Sequence, residues 1–230
     1  MHLLYIPMAK KEQTMGLVWL MLMLGSTLLF PLRTLALWEF VFYGANFAAA
    51  LLIFRSFLAA SVQVPLTPFT TVLKFSMLGL ILAQLANLLT NDLIFYFLPN
   101  HFYYDATGPH FVNICKTALA TFASENLPLT AIAMILFVPV VEEVLYRGLV
   151  FGNLVQKNLP LAYVVSTVLY CLILIRPILG GYSADYIILS FVQYIPINLM
   201  FCWIYTRTET ILTPILAHTV MNAVSIFTLR

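Results

Sequence analysis

Three ionisable side chains interrupt an apolar stretch in the second half of the chain. Glu142, Glu143 and Arg147 lie within VPVVEEVLYRG at residues 138–148. In a helix, Glu143 and Arg147 are one turn apart and can pair on one face, with the acid preceding the base. Glu142 projects about 100° away and can reach only the hydroxyl group of Tyr146. A carboxyl group without a charged partner in an apolar environment suits proton transfer near neutral pH.

A second polar pair follows near the end of the chain. His218 and Asn222 are four residues apart, on one face of a helix that starts near Pro214. Imidazole can bind a metal ion or move a proton, and a neutral amide can donate to a developing oxyanion. These residues predict a polar pocket between two helices. The alternative is that the acids, Arg147 and His218 only hold the helices together.

The composition shows what surrounds such a pocket. Of 230 residues, 62% are hydrophobic and 9% are charged, and the mean hydropathy is +0.97. A soluble domain has about 25% charged residues. This composition excludes a disordered chain, a nucleic-acid binder and an ordinary cytosolic enzyme, so most of the surface must face lipid. A net charge of +2 is too small to indicate an anionic partner.

The apolar stretches predict an all-α, multi-pass transmembrane bundle of about seven spans, since a helix needs about 20 apolar residues to cross a bilayer. We expect the first span to be retained, because no small-residue cleavage site follows it. Residues 93–128 are predicted to be a long aromatic-rich loop, with a short interfacial helix at Phe111–Phe122. The predicted spans are Met15–Pro31, Leu35–Ala60, Thr71–Leu89, Leu129–Val155, Leu161–Leu179, Tyr186–Tyr205 and Ile211–Leu229.

The chain therefore divides into residues 1–128, with the amino-terminal helices and the loop, and residues 129–230, a core of four helices. Basic residues weakly favour a cytoplasmic amino terminus. That side would hold Lys10, Lys11, Arg55, Lys74, Lys157 and Arg207, and the other side Arg33, Lys116, Arg176 and Arg230. The three cysteines, Cys115, Cys171 and Cys202, form no zinc motif and are expected to pack as small apolar residues.

The polar residues form a pattern that resembles a known family. Glu142-Glu143-x-x-Tyr146-Arg147-Gly148, followed by His218-x-x-x-Asn222, is similar to the CPBP family of CaaX prenyl protease-like and bacteriocin-processing (Abi) membrane proteins. The resemblance covers about residues 130–225 and implies an intramembrane endopeptidase with an all-helical core. Compact chains of this kind look like bacterial members, which implies a bacterial plasma membrane.

The resemblance also implies a role for each residue. Glu142 would be the base that activates water, with Glu143 and Arg147 supporting it. His218 and Asn222 would bind a metal ion or stabilise the oxyanion, and Glu142 and His218 are the implied ligands of a divalent metal such as zinc. No organic cofactor is implied. The implied partners are membrane lipid and a membrane-associated peptide or protein substrate.

One position departs from the family pattern. The second motif has the form S-S-x-x-F-x-x-x-H, and residues 166–174 align with it, but Leu174 occupies the histidine position. Leucine cannot bind metal or carry a proton. Cys171 one turn away, or His101 or His110 from the long loop, could substitute.

The departure leaves other functions open. The alternative to an endopeptidase is a catalytically impaired relative that binds a membrane partner, in bacteriocin immunity or envelope regulation. A proton-coupled transporter is a third hypothesis, based on the intramembrane acids alone.

Overall fold

The fold of the described residues is a bundle of helices. The computed structural model describes residues 6–29, 36–63, 67–97, 102–105, 108–111, 114–175 and 184–228. The helices are α1 (Lys10–Leu29), α2 (Ala36–Ile53), α3 (Arg55–Gln63), α4 (Phe69–Phe97), α5 (Ile114–Ile132), α6 (Val138–Glu143), α7 (Gly152–Val155), α8 (Leu159–Ile175), α9 (Ala184–Thr208) and α10 (Leu212–Phe227). The predicted sidedness of Arg33, Arg176 and Arg230 concerns residues outside these ranges.

The predicted all-α membrane fold is confirmed, and the count of seven spans is approximate. Within the described residues, three helices are long and apolar enough to cross a bilayer: Phe69–Phe97, Ala123–Val155 and Ala184–Thr208. The number of candidate spans rises to four if α2 and α3 are counted together as one broken span. The helices α8 and α10 are apolar but shorter.

The second predicted span is bent by 77° between α2 and α3. The carboxylate of Glu12 in α1 binds the chain just after this bend, where its Oε1 accepts the backbone N–H groups of Ser56 and Phe57 at 3.0 and 3.1 Å. The first N–H groups of a helix have no partner within the helix and need such an acceptor. Glu12 therefore caps α3 from a different helix.

The predicted loop at 93–128 contains more regular structure than the sequence indicated. Helix α4 continues to Phe97, and an antiparallel hairpin pairs β1 (Phe102–Asp105) with β2 (Gly108–Phe111). Helix α5 begins at Ile114 and is interrupted at Asn126, whose backbone is not helical. The Asn126 side chain accepts the N–H of Leu129 at 3.2 Å, so it caps the segment that leads into the core.

Two π-helical segments flank α6. The first is Ala133–Phe137 and the second is Val144–Phe151. Each has a backbone carbonyl bound by a side chain of a neighbouring helix. Asn222 Nδ2 in α10 donates to Met134 O at 2.7 Å, and Ser166 Oγ in α8 donates to Tyr146 O at 3.0 Å. Such segments are rare and often occur at functional sites.

The second π segment is packed closely on the amino-terminal helices. A Cβ atom added to Gly148 would lie 2.8 Å from Met8 Cε and 3.1 Å from Phe57 Cε1. A larger residue here would displace the Met8 methyl group and crowd the Phe57 ring, so glycine allows the close approach of α3 and of the residues before α1. At the other side of the bundle, Glu209 has a φ of 54° and ends α9 before α10 begins.

Candidate active site

Four parts of the bundle bring polar side chains together in one buried cluster. Helix α6 supplies Glu142 and Glu143, the second π segment supplies Arg147, α8 supplies Tyr170 and α10 supplies His218. Their exposed fractions range from 0% for Glu143 and Arg147 to 4% for Glu142. The structure thus brings together four of the five residues predicted as catalytic.

Glu143 links the other charged residues. Its Oε1 lies 3.2 Å from Arg147 Nη1 and 2.8 Å from His218 Nδ1. Because a carboxylate accepts hydrogen bonds, the short contact places the imidazole proton on Nδ1. The opposite ring nitrogen, Nε2, lies 3.9 Å from Glu142 Oε2 and is an acceptor in the neutral form of the ring.

Glu142 has a different set of neighbours. Its Oε2 accepts a hydrogen bond from the Tyr170 hydroxyl group at 2.6 Å and lies 3.9 Å from His218 Nε2. The second distance is too long for a direct hydrogen bond, and a water molecule that bonded to both atoms would bridge it. The oxygen of Glu142 and the nitrogen of His218 thus face each other across a short gap.

Arg147 is bonded through both of its terminal nitrogens, Nη1 to Glu143 and Nη2 to Asn198. Its Nη2 donates to Asn198 Oδ1 in α9 at 2.6 Å. The guanidinium carbon lies 4.6 Å from the ring centre of Tyr170 and 5.0 Å from that of Phe201. Phe201 also stacks on the His218 ring at 5.3 Å between ring centres. This packing fixes both the cation and the imidazole.

The remaining predicted residues lie further from this arrangement. Asn222 is buried and its Nδ2 binds Met134 O, so its amide joins α10 to the first π segment. Its predicted role as an oxyanion donor stays a prediction. Leu174 is partly buried and packs against the main apolar core.

Cys171, His101 and His110 were the possible substitutes for the histidine that is absent at position 174. Cys171 is a buried free thiol, as expected for a packed residue, and its Sγ accepts Asn198 Nδ2 at 3.6 Å. The backbone of His110 pairs with Tyr103 in the hairpin, while His101 lies outside the described residues. Cys202 is likewise a buried free thiol.

The donor set falls short of a complete zinc site. No group of three His, Cys, Asp or Glu side chains in the described part of the chain is arranged to hold a metal ion. Catalytic zinc has three protein ligands as a rule, and only Glu142 and His218 Nε2 face a common space here. Glu143 is engaged by both Arg147 and His218. The predicted zinc therefore stays a prediction, and no step below depends on it.

Sequence reasoning missed three residues that complete the cluster: Tyr170, Asn198 and Phe201. Tyr170 was visible as a hydroxyl-bearing residue at the phenylalanine position of the second motif. Asn198 was visible as an amide within an apolar helix, which is costly unless it is satisfied. Nothing in the sequence distinguishes Phe201 from the other aromatic residues.

The fold and the cluster define a helical membrane protein with a buried acid, histidine and arginine site. Residues 124–224 match the family described as type II CAAX prenyl endopeptidase Rce1-like, and this segment contains the whole cluster. A Bacillus subtilis protein named "Putative membrane peptidase YdiL" is 30% identical over 99 residues, 43% of this chain. The match spans 36% of that relative, so the chain covers about a third of its length.

These findings confirm the resemblance to the CPBP membrane proteases over this segment. No solved structure matches the chain.

Proposed function

We propose that the chain is an intramembrane endopeptidase that hydrolyses a peptide bond of a membrane-associated substrate. The observation that carries this proposal is the gap between Glu142 Oε2 and His218 Nε2, buried inside an apolar bundle. The match of residues 124–224 to a family of membrane proteases supports it. We further infer that the protein resides in the cell membrane with its amino terminus in the cytoplasm.

The proposed reaction uses Glu142 as the base. A water molecule bound to Glu142 gives its proton to the carboxylate as its oxygen adds to the carbonyl carbon of the scissile peptide bond. The carbonyl oxygen becomes an oxyanion. When the carbon–nitrogen bond breaks, the proton on Glu142 passes to the leaving amine, and the carboxylate is regenerated.

The other residues support this step. His218 Nε2 accepts a hydrogen bond from the same water and orients it, because Glu143 fixes the opposite ring nitrogen. Arg147 balances the charge of Glu143 inside the bundle. The peptide bond must enter a dry site, so we infer that the substrate reaches it from the bilayer.

Leu174 favours a second candidate function. Without the histidine of the second motif, the same bundle would bind a membrane partner without cleaving it, as in bacteriocin immunity or envelope regulation. This candidate predicts that replacement of Glu142 has no effect on proteolysis, whereas the first predicts its loss.

The two candidates are separated by a search for new amino termini. Purified full-length protein is reconstituted into liposomes of phosphatidylethanolamine and phosphatidylglycerol with membrane proteins extracted from the expression host. New amino termini are labelled chemically and identified by mass spectrometry. We expect them with the wild type and not with Glu142→Gln. The matched control is Asp92→Asn, because Asp92 is an exposed acid in α4, and it should behave as the wild type.

If Glu142→Gln generates the same new termini, or the wild type generates none, the endopeptidase proposal is wrong. The metal is addressed in the same assay after dialysis against a chelator. Since only two donors face the gap, we expect activity to survive. Loss of activity that zinc restores would show that a third ligand completes the site.

A further inference from the structure

Tyr170 makes the one direct hydrogen bond to Glu142 from another helix among the described residues. Its hydroxyl oxygen lies 2.6 Å from Glu142 Oε2, a distance typical of a hydrogen bond to a charged acceptor. The donor and the acceptor are 28 residues apart in sequence, so the bond joins α8 to α6. A phenol offers one O–H donor, and here it is aimed at the proposed base.

The tyrosine ring is fixed in place. Tyr146 meets it edge-on at 5.0 Å between ring centres, and the Arg147 guanidinium lies 4.6 Å from its centre. The side chain is 3% exposed. Because packing holds the ring, the hydroxyl group can fix which way the Glu142 carboxylate turns towards His218.

Tyr170 occupies the aromatic position of the second motif, four residues before the histidine position. Residues 170 and 174 are one turn apart and therefore share a face of α8. In this chain the aromatic position of the motif bears a hydroxyl group, and the histidine position bears Leu174, which has no polar atom. The polar side chain by which α8 contacts Glu142 therefore comes from the aromatic position of the motif.

We propose that Tyr170 is the positioning residue of the candidate active site, which orients Glu142 in place of the histidine that Leu174 replaces. The inference rests on the proposed function. It explains how a site without the second-motif histidine still has a donor from α8 on its base. The hydroxyl group stays bonded to Glu142 and does not touch the substrate.

The test compares Tyr170→Phe with Tyr163→Phe. Both tyrosines lie in α8, but the hydroxyl group of Tyr163 contacts Thr206 at 3.2 Å, outside the cluster. The probe is an internally quenched peptide built around the most abundant new amino terminus found for the wild type. Cleavage is measured in liposomes as kcat and KM, and thermal unfolding is recorded for each variant.

We expect Tyr170→Phe to lower kcat by about 10- to 100-fold, the effect of losing one hydrogen bond to a charged group. KM should stay within about twofold, because the substrate does not contact Tyr170, and Tyr163→Phe should match the wild type. The double variant Tyr170→Phe/Leu174→His should regain activity, because it returns a donor to the same face of α8.

Three results would overturn the inference while leaving the endopeptidase proposal intact, provided that Glu142→Gln is inactive. They are an unchanged kcat for Tyr170→Phe, a loss confined to KM or matched by a lower unfolding temperature, and a double variant no more active than Tyr170→Phe. Absence of cleavage by the wild type would instead contradict the proposed function itself.

Discussion

Replacement of Arg147 by methionine tests whether the cluster is a buried ion pair on which the fold depends. Arg147 is fully buried and contacts Glu143 at 3.2 Å and Asn198 at 2.6 Å, with aromatic rings on both sides. Methionine is an unbranched apolar side chain that reaches about as far as Arg147 Nε. Arg147→Met thus keeps the packing of the aliphatic part and removes the guanidinium group, with its charge, its donors and its contacts with Tyr170 and Phe201.

The expected loss is large because Glu143 stays behind. Removing one partner of a buried ion pair costs about 3–5 kcal/mol, since the other charge is left without compensation. For a chain of this size, 1 kcal/mol lowers the unfolding temperature by about 2–4 °C. We therefore expect Arg147→Met to unfold roughly 6–20 °C below the wild type.

A double variant isolates the electrostatic part. Glu143→Gln removes the carboxylate charge but keeps an oxygen that can accept the Nδ1 proton of His218. In Glu143→Gln/Arg147→Met no buried charge of the pair remains, so the double variant should be more stable than Arg147→Met alone. The coupling between the two positions should lie in the range of about 0.5–3 kcal/mol.

Unfolding is followed by tryptophan fluorescence in detergent micelles and by titration with sodium dodecyl sulfate. Arg207→Met is the matched control, because Arg207 is an exposed arginine at the end of α9. Its guanidinium carbon lies 5.7 Å from the Trp203 ring centre, so its loss should cost at most about 1 kcal/mol. The reasoning is refuted if Arg147→Met unfolds within 2 °C of the wild type. It is also refuted if the double variant is less stable than Arg147→Met.

Three further variants test contacts around the cluster and at the amino-terminal helices. Asn198→Leu should cost about 1.5–3 kcal/mol, because Arg147 Nη2 loses its 2.6 Å acceptor, and it should lower activity as well. Glu12→Gln should cost about 0.5–2 kcal/mol, since a neutral amide caps α3 less well, with cleavage unchanged. Gly148→Ala should cost about 1–3 kcal/mol, because its Cβ would press on Phe57.

Each of these predictions is checked by chemical denaturation of the purified protein, with cleavage of the quenched peptide measured in parallel. Full stability of Asn198→Leu would show that Arg147 does not need the amide. Inactive but stable Glu12→Gln would place the amino-terminal helices in the chemistry. A stable Gly148→Ala would mean that α3 can move away from the second π segment.

The sequence sufficed for the membrane fold and for the charged part of the cluster. Charge within an apolar helix is costly, so Glu142, Glu143 and Arg147 stand out without any structure. The spacing of four residues correctly predicted the Glu143–Arg147 pair. Helical periodicity predicts which residues share a face of one helix. It does not predict which residues of other helices they contact.

Contacts between segments that are distant in sequence could not be predicted from the sequence. The start of α3 is capped by Glu12, which lies 44 residues before Ser56. The partner of Glu142 comes from α8, although Tyr146 on its own helix was the nearer hydroxyl in sequence. The strands of the hairpin within 102–111 are short and lack a clear alternating pattern. The sequence therefore predicts a loop at this place.

The carbonyl contacts of Asn222 and Ser166 have a consequence for the order of assembly. Each π segment has a backbone carbonyl bonded to a helix that follows it in the chain, α10 for the first segment and α8 for the second. A peptide of residues 130–155 on its own lacks both donors, and we expect it to form a continuous α-helix. The side chains of Glu142 and Glu143 would then reach their final orientation only when α8 and α10 pack against this segment. A partly inserted chain would therefore lack a complete candidate active site.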